Sequence, residues 1–199
     1  MAKIINAKKK FFGTDGIRGP ISSKTSPDFI LKLGWAAGEV FKDLGIKTFI
    51  IGKDTRISGY MLEAALQAGI ISSGLNVRLV GPLPTPAISY LVSTFKSQAG
   101  IVISASHNSY EDNGIKFFDD KGQKISDEIE LLIEQKISEE ITVVEPERLG
   151  KAARLNDASG RYIEYCKNSL SQQISFAGLK IVLDTCLLYT SDAADERRR

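Results

Sequence analysis

Three short strand-like runs, at residues 48–51, 77–80 and 101–103, apolar but for Thr48 and Arg78, alternate with segments whose apolar residues recur at helical spacing. Strands covered on both faces read as unbroken apolar runs, whereas amphipathic helices read as i, i+3, i+4 stripes. Their alternation predicts an α/β fold, with helices packed on a sheet. Ser26, Pro27 and Asp28 make a helix start: a capping hydroxyl, a proline at the first position and an acid in the first turn. Phe29, Ile30, Leu33, Ala37, Val40, Phe41 and Leu44 follow at helical spacing until Gly45. Ser58 is read as the cap of a second helix, which carries Met61, Leu62, Ala65, Leu66, Gly69 and Ile70 and stops at Gly74. Pro82, Pro84 and Pro86 stiffen a turn before a short third helix that runs to Phe95. A polar loop follows residue 103, residues 114–118 return as a strand, and Ser126, Asp127 and Glu128 open a further helix with Ile129, Leu132, Ile133 and Ile137.

These elements place an α/β domain in residues 1–140, followed by a linker at 141–156. Residues 157–186 are read as the start of a second, similar domain. There 157–170 is helical, and 178–185 is a strand that echoes 45–55. Residues 187–199 do not continue a βα unit and are read as a non-native tail.

The chain has 199 residues, 43% hydrophobic and 25% charged, which is enough apolar material for a core. A net charge of +2 argues against bulk binding of nucleic acid or an anionic membrane, so any anion site is local. With one histidine and no CxxC pairing of Cys166 and Cys186, a zinc site is not expected. The two cysteines are read as reduced thiols of a cytoplasmic protein. The basic first ten residues lack the apolar core of a signal peptide, and no apolar run approaches the roughly 20 residues that cross a bilayer.

The densest chemistry lies where an apolar strand ends in Ser104, Ala105, Ser106, His107 and Asn108. Loops that leave a strand end commonly carry sites. A serine hydrolase needs a histidine in reach of the serine and an acid that orients it. Here His107 is the immediate neighbour of Ser106, and adjacent side chains on extended backbone point apart. A phosphoserine fits better, since it needs cations and backbone donors rather than a local base. Arg18, Lys53, Arg56 and Lys116 are the candidate cations, with a solvated polar loop as the plain alternative. In Phe12-Gly13-Thr14-Asp15-Gly16-Ile17-Arg18-Gly19, the glycines permit close backbone approach to an anion, and Thr14 and Arg18 are candidate phosphate contacts. Residues 52–59 form a strand-to-helix turn with an internal Asp54–Arg56 pair, in which Lys53 and Ser58 are read as structural.

Taken together, these segments resemble the α-D-phosphohexomutase superfamily and, within it, the bacterial phosphoglucosamine mutase family. The resemblance rests on residues 12–19, 52–56, 82–86, 103–108 and 113–118 in that order, and it spans about residues 10–184. It implies a three-layer domain with a mixed, mainly parallel sheet, one of four α/β domains around a central cleft. It implies a Mg²⁺-dependent interconversion of glucosamine 6-phosphate and glucosamine 1-phosphate. Ser106, as phosphoserine, would pass its phosphoryl group through glucosamine 1,6-bisphosphate and hold one ligand position on the Mg²⁺.

Position by position, Arg18 and Lys116 match active-site cations, Lys116 also being a candidate for proton transfer with the sugar hydroxyl. His107 flanks the phosphoserine, and Thr14, Arg56 and Asn113 are expected to bind substrate or phosphate. The implied partners are a sugar phosphate and a second copy of the longer enzyme, with neither nucleic acid nor membrane. Ser109 stands where the family usually has proline. The family's metal loop, sugar loop and distal phosphate loop are expected beyond residue 186, so this chain is expected not to turn over alone. A phosphomannomutase or phosphoglucomutase, or a non-catalytic sugar-phosphate-binding domain, are the competing readings.

Overall fold

The computed structural model describes residues 9–22, 25–95, 98–170, 174–175 and 177–182. Among them, six strands form one sheet: β1 (Ile17–Pro20), β2 (Thr48–Lys53), β3 (Asn76–Pro82), β4 (Gln98–Ile103), β5 (Asp112–Phe118) and β6 (Ala152–Arg154), in the order β1-β5-β4-β2-β3-β6. The pairs β2–β3, β2–β4 and β3–β6 are parallel, and β1–β5 and β4–β5 are antiparallel. The helices are α1 (Pro27–Asp43), α2 (Ser58–Ser72), α3 (Thr85–Thr94), α4 (Asp127–Ile137) and α5 (Ala158–Asn168).

The period of two along each strand sorts the core into two layers. Phe49, Ile51, Ile101, Ile103, Ile115 and Phe117 face the side covered by α1, α2 and α4. Ile50, Val102 and Phe118 face α3 and Ala158 of α5. Helices therefore cover both faces, giving three layers around a mixed, mainly parallel sheet, as the resemblance implies. Glycines let α1 and α2 meet backbone to backbone: a Cβ on Gly69 would lie 2.6 Å from the Trp35 amide nitrogen, and one on Gly34 would lie 2.6 Å from the Leu66 carbonyl oxygen.

The helix starts follow the sequence unevenly. Ser26 caps α1 as expected, its hydroxyl accepting from the Phe29 amide at 3.3 Å. Ser58 does not cap α2. Ile57 holds the cap position without a side-chain bond, and the Ser58 hydroxyl instead accepts from Asn113 Nδ2 at 2.8 Å. The proline turn starts later than its composition suggests, because Gly81 and Pro82 still pair with Gly52 and Lys53 across a register shift.

Residues 141–156, expected as a linker, run along this body and bond to it. Trp35 Nε1 donates to the Thr142 carbonyl at 2.8 Å, and β6 adds the last strand of the sheet. On the other face of the body, α5 stacks Tyr165 on Tyr90 of α3, ring centroids 4.0 Å apart. Of the strand expected at 178–185, residues 178–182 are exposed and pair with no strand among the described residues, and 183–185 lie outside the described residues, as do Cys186 and the expected tail.

Candidate active site

The parallel strands β2, β3 and β4 end side by side at Lys53, Pro82 and Ile103. Open α/β sheets place their sites outside such carboxyl ends, where successive connections leave to opposite faces. That condition is met here: α2 leaves β2 on one face and α3 leaves β3 on the other. The loop after β4 holds Ser106, exposed and at φ 57°; no other non-glycine residue among those described has a positive φ. The left-handed conformation costs a residue with a Cβ about 1–2 kcal/mol, so neighbours must hold it. Ser104 Oγ accepts from the Ser106 amide at 3.0 Å, and the Ser106 carbonyl accepts from Arg56 Nη2 at 2.9 Å. A hydrogen bond from a charged donor is worth roughly 1.5–3 kcal/mol, enough to outweigh that cost.

Arg56 is buried and has all five of its N–H groups engaged. Nε donates to Asp54 Oδ2 at 3.0 Å. Nη1 donates to the Ser109 carbonyl and, at 3.1 Å, to that of Asp112. Nη2 serves Ser106 and, at 2.7 Å, the Asn108 carbonyl. This corrects the sequence expectation, because the guanidinium has no hydrogen left for a phosphate. Asn113, expected to bind substrate or phosphate, is buried, with Nδ2 donating to the Ser58 hydroxyl and Oδ1 accepting from the Gly114 amide, both at 2.8 Å. Lys53 is turned inward to Glu63 at 2.7 Å and lies over the Tyr60 ring, the structural role expected of it.

Ser106 and His107 do not point apart. The left-handed serine breaks the extended geometry, and Ser106 Oγ lies 3.4 Å from His107 Nδ1. No carboxylate pairs with His107 among the described residues, so the orienting acid of a hydrolytic triad is still missing.

The cations stand on the neighbouring hairpin. Arg18 of β1 pairs across to Gly114 of β5, whose carbonyl accepts from the Ser104 amide at 2.9 Å. Gly114 is needed at this junction, since a Cβ there would lie 2.8 Å from the Ser104 carbonyl oxygen. Asp15 joins the two cations, 3.6 Å from Arg18 Nη2 and 3.9 Å from Lys116 Nζ, and is itself 63% exposed. Arg18 Nε is shielded from solvent with no hydrogen-bond partner among the described residues, a donor left for an anion. Thr14 is exposed at the tip of the turn that Gly13 and Gly16 close through a 2.8 Å backbone bond.

Glu134 of α4 fixes the approach to this turn. Its carboxylate accepts from the amides of Lys10, Phe11 and Phe12 at 2.6–2.8 Å. Lys9 bonds Glu130 and Asp127 of the same helix. Nothing local in the sequence marks Glu134 for this task, which depends on contacts across the fold, whereas the Ser104 bond to the Ser106 amide is a local turn within the loop. A cavity of about 220 Å³ opens beside Lys116, lined also by Asp15, Thr85 and Lys124. Among the described residues, no three His, Cys, Asp or Glu side chains converge to hold a metal ion. The chain thus offers a presented hydroxyl and two adjacent cations, while its described residues do not form a cage for Mg²⁺.

Residues 9–143 match the model of phosphoglucomutase/phosphomannomutase, alpha/beta/alpha domain I. The chain is 60% identical over 177 residues to a phosphoglucosamine mutase of Pseudomonas fluorescens, covering 88% of this chain and 40% of that protein. It is 58% identical over 179 residues to one of Aliivibrio fischeri, covering 89% and 40%. The chain therefore spans about 40% of the length of the curated relatives it matches. Its fold is shared with a phosphoglucomutase/phosphomannomutase family protein of Burkholderia thailandensis, with TM-score 0.69 at 24% identity, over 84% of this chain and 37% of that one. With the family model matched over most of its length, and the serine loop and cationic hairpin on one sheet edge, the chain belongs to the phosphoglucomutase/phosphomannomutase family.

Proposed function

We propose that this chain carries the phosphoryl-transferring serine of a phosphoglucosamine mutase. The observation that carries the reading is Ser106: an exposed serine held at positive φ on the sheet's carboxyl edge, with Arg18 and Lys116 on the adjoining hairpin. The relatives at about 60% identity favour the amino sugar.

In this reading the Oγ–P bond of phosphorylated Ser106 breaks as a sugar hydroxyl oxygen bonds to phosphorus, giving the 1,6-bisphosphate and the free serine. The proton leaves the attacking hydroxyl for a base, a role the family resemblance assigns to Lys116, and the departing Ser106 oxygen takes up a proton in turn. The bisphosphate turns over, and its other phosphoryl group returns to Ser106 by the reverse step. Arg18, with its unmet Nε donor, and Lys116 balance charge on the phosphoryl oxygens. Thr14 lends its hydroxyl at the edge of the same turn, and His107 flanks the serine. Mg²⁺ would supply Lewis-acid stabilisation of the phosphoryl group. The described residues do not form its cage, so the chain alone is expected to be inactive.

The test is a graft. Residues 9–143 replace the matching segment of the Pseudomonas fluorescens relative, and turnover of glucosamine 6-phosphate is followed in a coupled assay. The graft is expected to turn over, its Ser106→Ala form to be silent, and the isolated chain to show no turnover. An active Ser106→Ala graft would refute the assignment.

A further inference from the structure

We infer that Arg56 is a positioning residue: its guanidinium closes a cage of four loop carbonyls and so holds Ser106 in the left-handed conformation that presents its hydroxyl. The inference rests on the reading of Ser106 as the phosphoryl carrier only for its consequence. The geometry stands without it.

The carbonyls of Ser106, Asn108, Ser109 and Asp112 converge on one buried point from a seven-residue loop. Converging oxygens repel, and buried unpaired carbonyls are costly, so a loop of this shape needs a donor at its centre. The donor must be planar and many-pronged. A guanidinium offers five hydrogens in a fixed fork, whereas an ammonium offers three from one point. Asp54 completes the cage. Its carboxylate accepts from both the Arg56 Nε and the Arg56 amide, and its own amide donates to the Ile103 carbonyl at 2.9 Å. The end of β4 is thus tied through Asp54 and Arg56 to the loop that β4 itself launches.

Two consequences follow from the charges. Asp54 neutralises Arg56, so the cage adds almost no field at a phosphate. The cationic work falls to Arg18 and Lys116, and Arg56 acts through the backbone of Ser106. A second tie, Asn108 Nδ2 to Asp112 Oδ2 at 2.7 Å, closes the loop on its far side.

The test is spectroscopic and uses the whole 199-residue chain without substrate. The Ser106 backbone carbon shifts and amide–Hα coupling report its φ. They are expected to mark the left-handed conformation in the native chain and to move to values for negative φ in Arg56→Lys, while the amides of β2, β4 and β5 keep their shifts. In Arg56→Ala, dilute guanidinium is expected to refill the cage and restore the native Ser106 signals, and equal ammonium is not. Native Ser106 signals in both variants without added guanidinium would overturn the inference.

Should the Arg56 variants lose the fold, Ser106→Gly and Ser106→Ala decide. Both lack the hydroxyl, and only glycine takes positive φ freely. The glycine form is expected to melt higher. An alanine form that melts as high or higher would mean that the loop does not hold this residue against its preference. None of these readouts involves phosphoryl transfer, so a failure here is separate from a failure of the mutase assignment.

Discussion

The two halves of the candidate site are held by different physics. On the serine side, a buried guanidinium makes five hydrogen bonds to one carboxylate and four carbonyls. On the cation side, the ion pairs among the described residues run from Arg18 and Lys116 to Asp15, long at 3.6 and 3.9 Å, with the shared carboxylate 63% exposed though both cations are about three-quarters covered. Buried, fully engaged polar networks define one geometry, whereas exposed ion pairs are worth about 0–1 kcal/mol and are screened by salt. The group that makes and breaks bonds is fixed, and the groups that balance charge are free to follow it. Such a division suits the proposed reaction, in which a bisphosphate presents first one phosphate and then the other.

The contrast can be broken at several strengths. The largest effect is expected from Arg56→Lys in the grafted mutase. Turnover should fall about a hundredfold, the scale of a small misplacement of a reacting group, with KM unchanged. A raised KM with unchanged turnover would place Arg56 in substrate binding instead. Next comes Gly114→Ala, which forces a Cβ against the Ser104 carbonyl where the two halves join. It should destabilise the chain by about 1–3 kcal/mol in denaturant titration. Asp15→Asn should change the same midpoint by less than about 1 kcal/mol. A loss as large as that from Gly114→Ala would show that the cation side is as firmly built as the serine side.

The smallest effect concerns the approach to the cationic turn. Hydrogen bonds to Glu130 and then Asp127 raise Lys9 above its ordinary 10.5, and the Lys9 hydrogen bond holds Asp127 below 3.8. A raised lysine stabilises fully below 10.5 and loses its contribution as pH rises through the higher folded value. A lowered aspartate stabilises fully above 3.8 and loses its contribution as pH falls through the lower one. The melting difference between the native chain and Lys9→Met should therefore be flat across the neutral range and shrink only beyond those two limits. A difference that varies near neutrality would mean that another group controls this attachment.

The helices, the buried strands and the serine loop were legible because each has a local signature. Ser26 caps α1 as its sequence indicates, and the strand-like runs became β2, β3 and β4, sandwiched between helix layers. What escaped depends on distant pairings. Arg56 reads as a phosphate contact because it lies beside a helix start, where anions tend to bind. Only the parallel pairing of β2 with β4 brings the later loop's carbonyls over it. Ser58 reads as a helix cap until the start of β5 brings Asn113 to its hydroxyl. The three residues of β6 are too short and too exposed to show a period, and their strand character comes from the free edge of β3. The left-handed turn at Ser106 left no mark in the sequence, since serine does not announce positive φ as glycine does.

The most direct measurement maps phosphate within the loop. The grafted mutase is incubated with glucosamine 1,6-bisphosphate, digested and sequenced by tandem mass spectrometry. Ser104, Ser106 and Ser109 lie close together, and only Ser106 is both exposed and held at positive φ. The phosphoryl group is expected on Ser106 alone. Phosphate on Ser104 or Ser109, or none on a graft that still turns over, would contradict the assignment of Ser106 as the carrier.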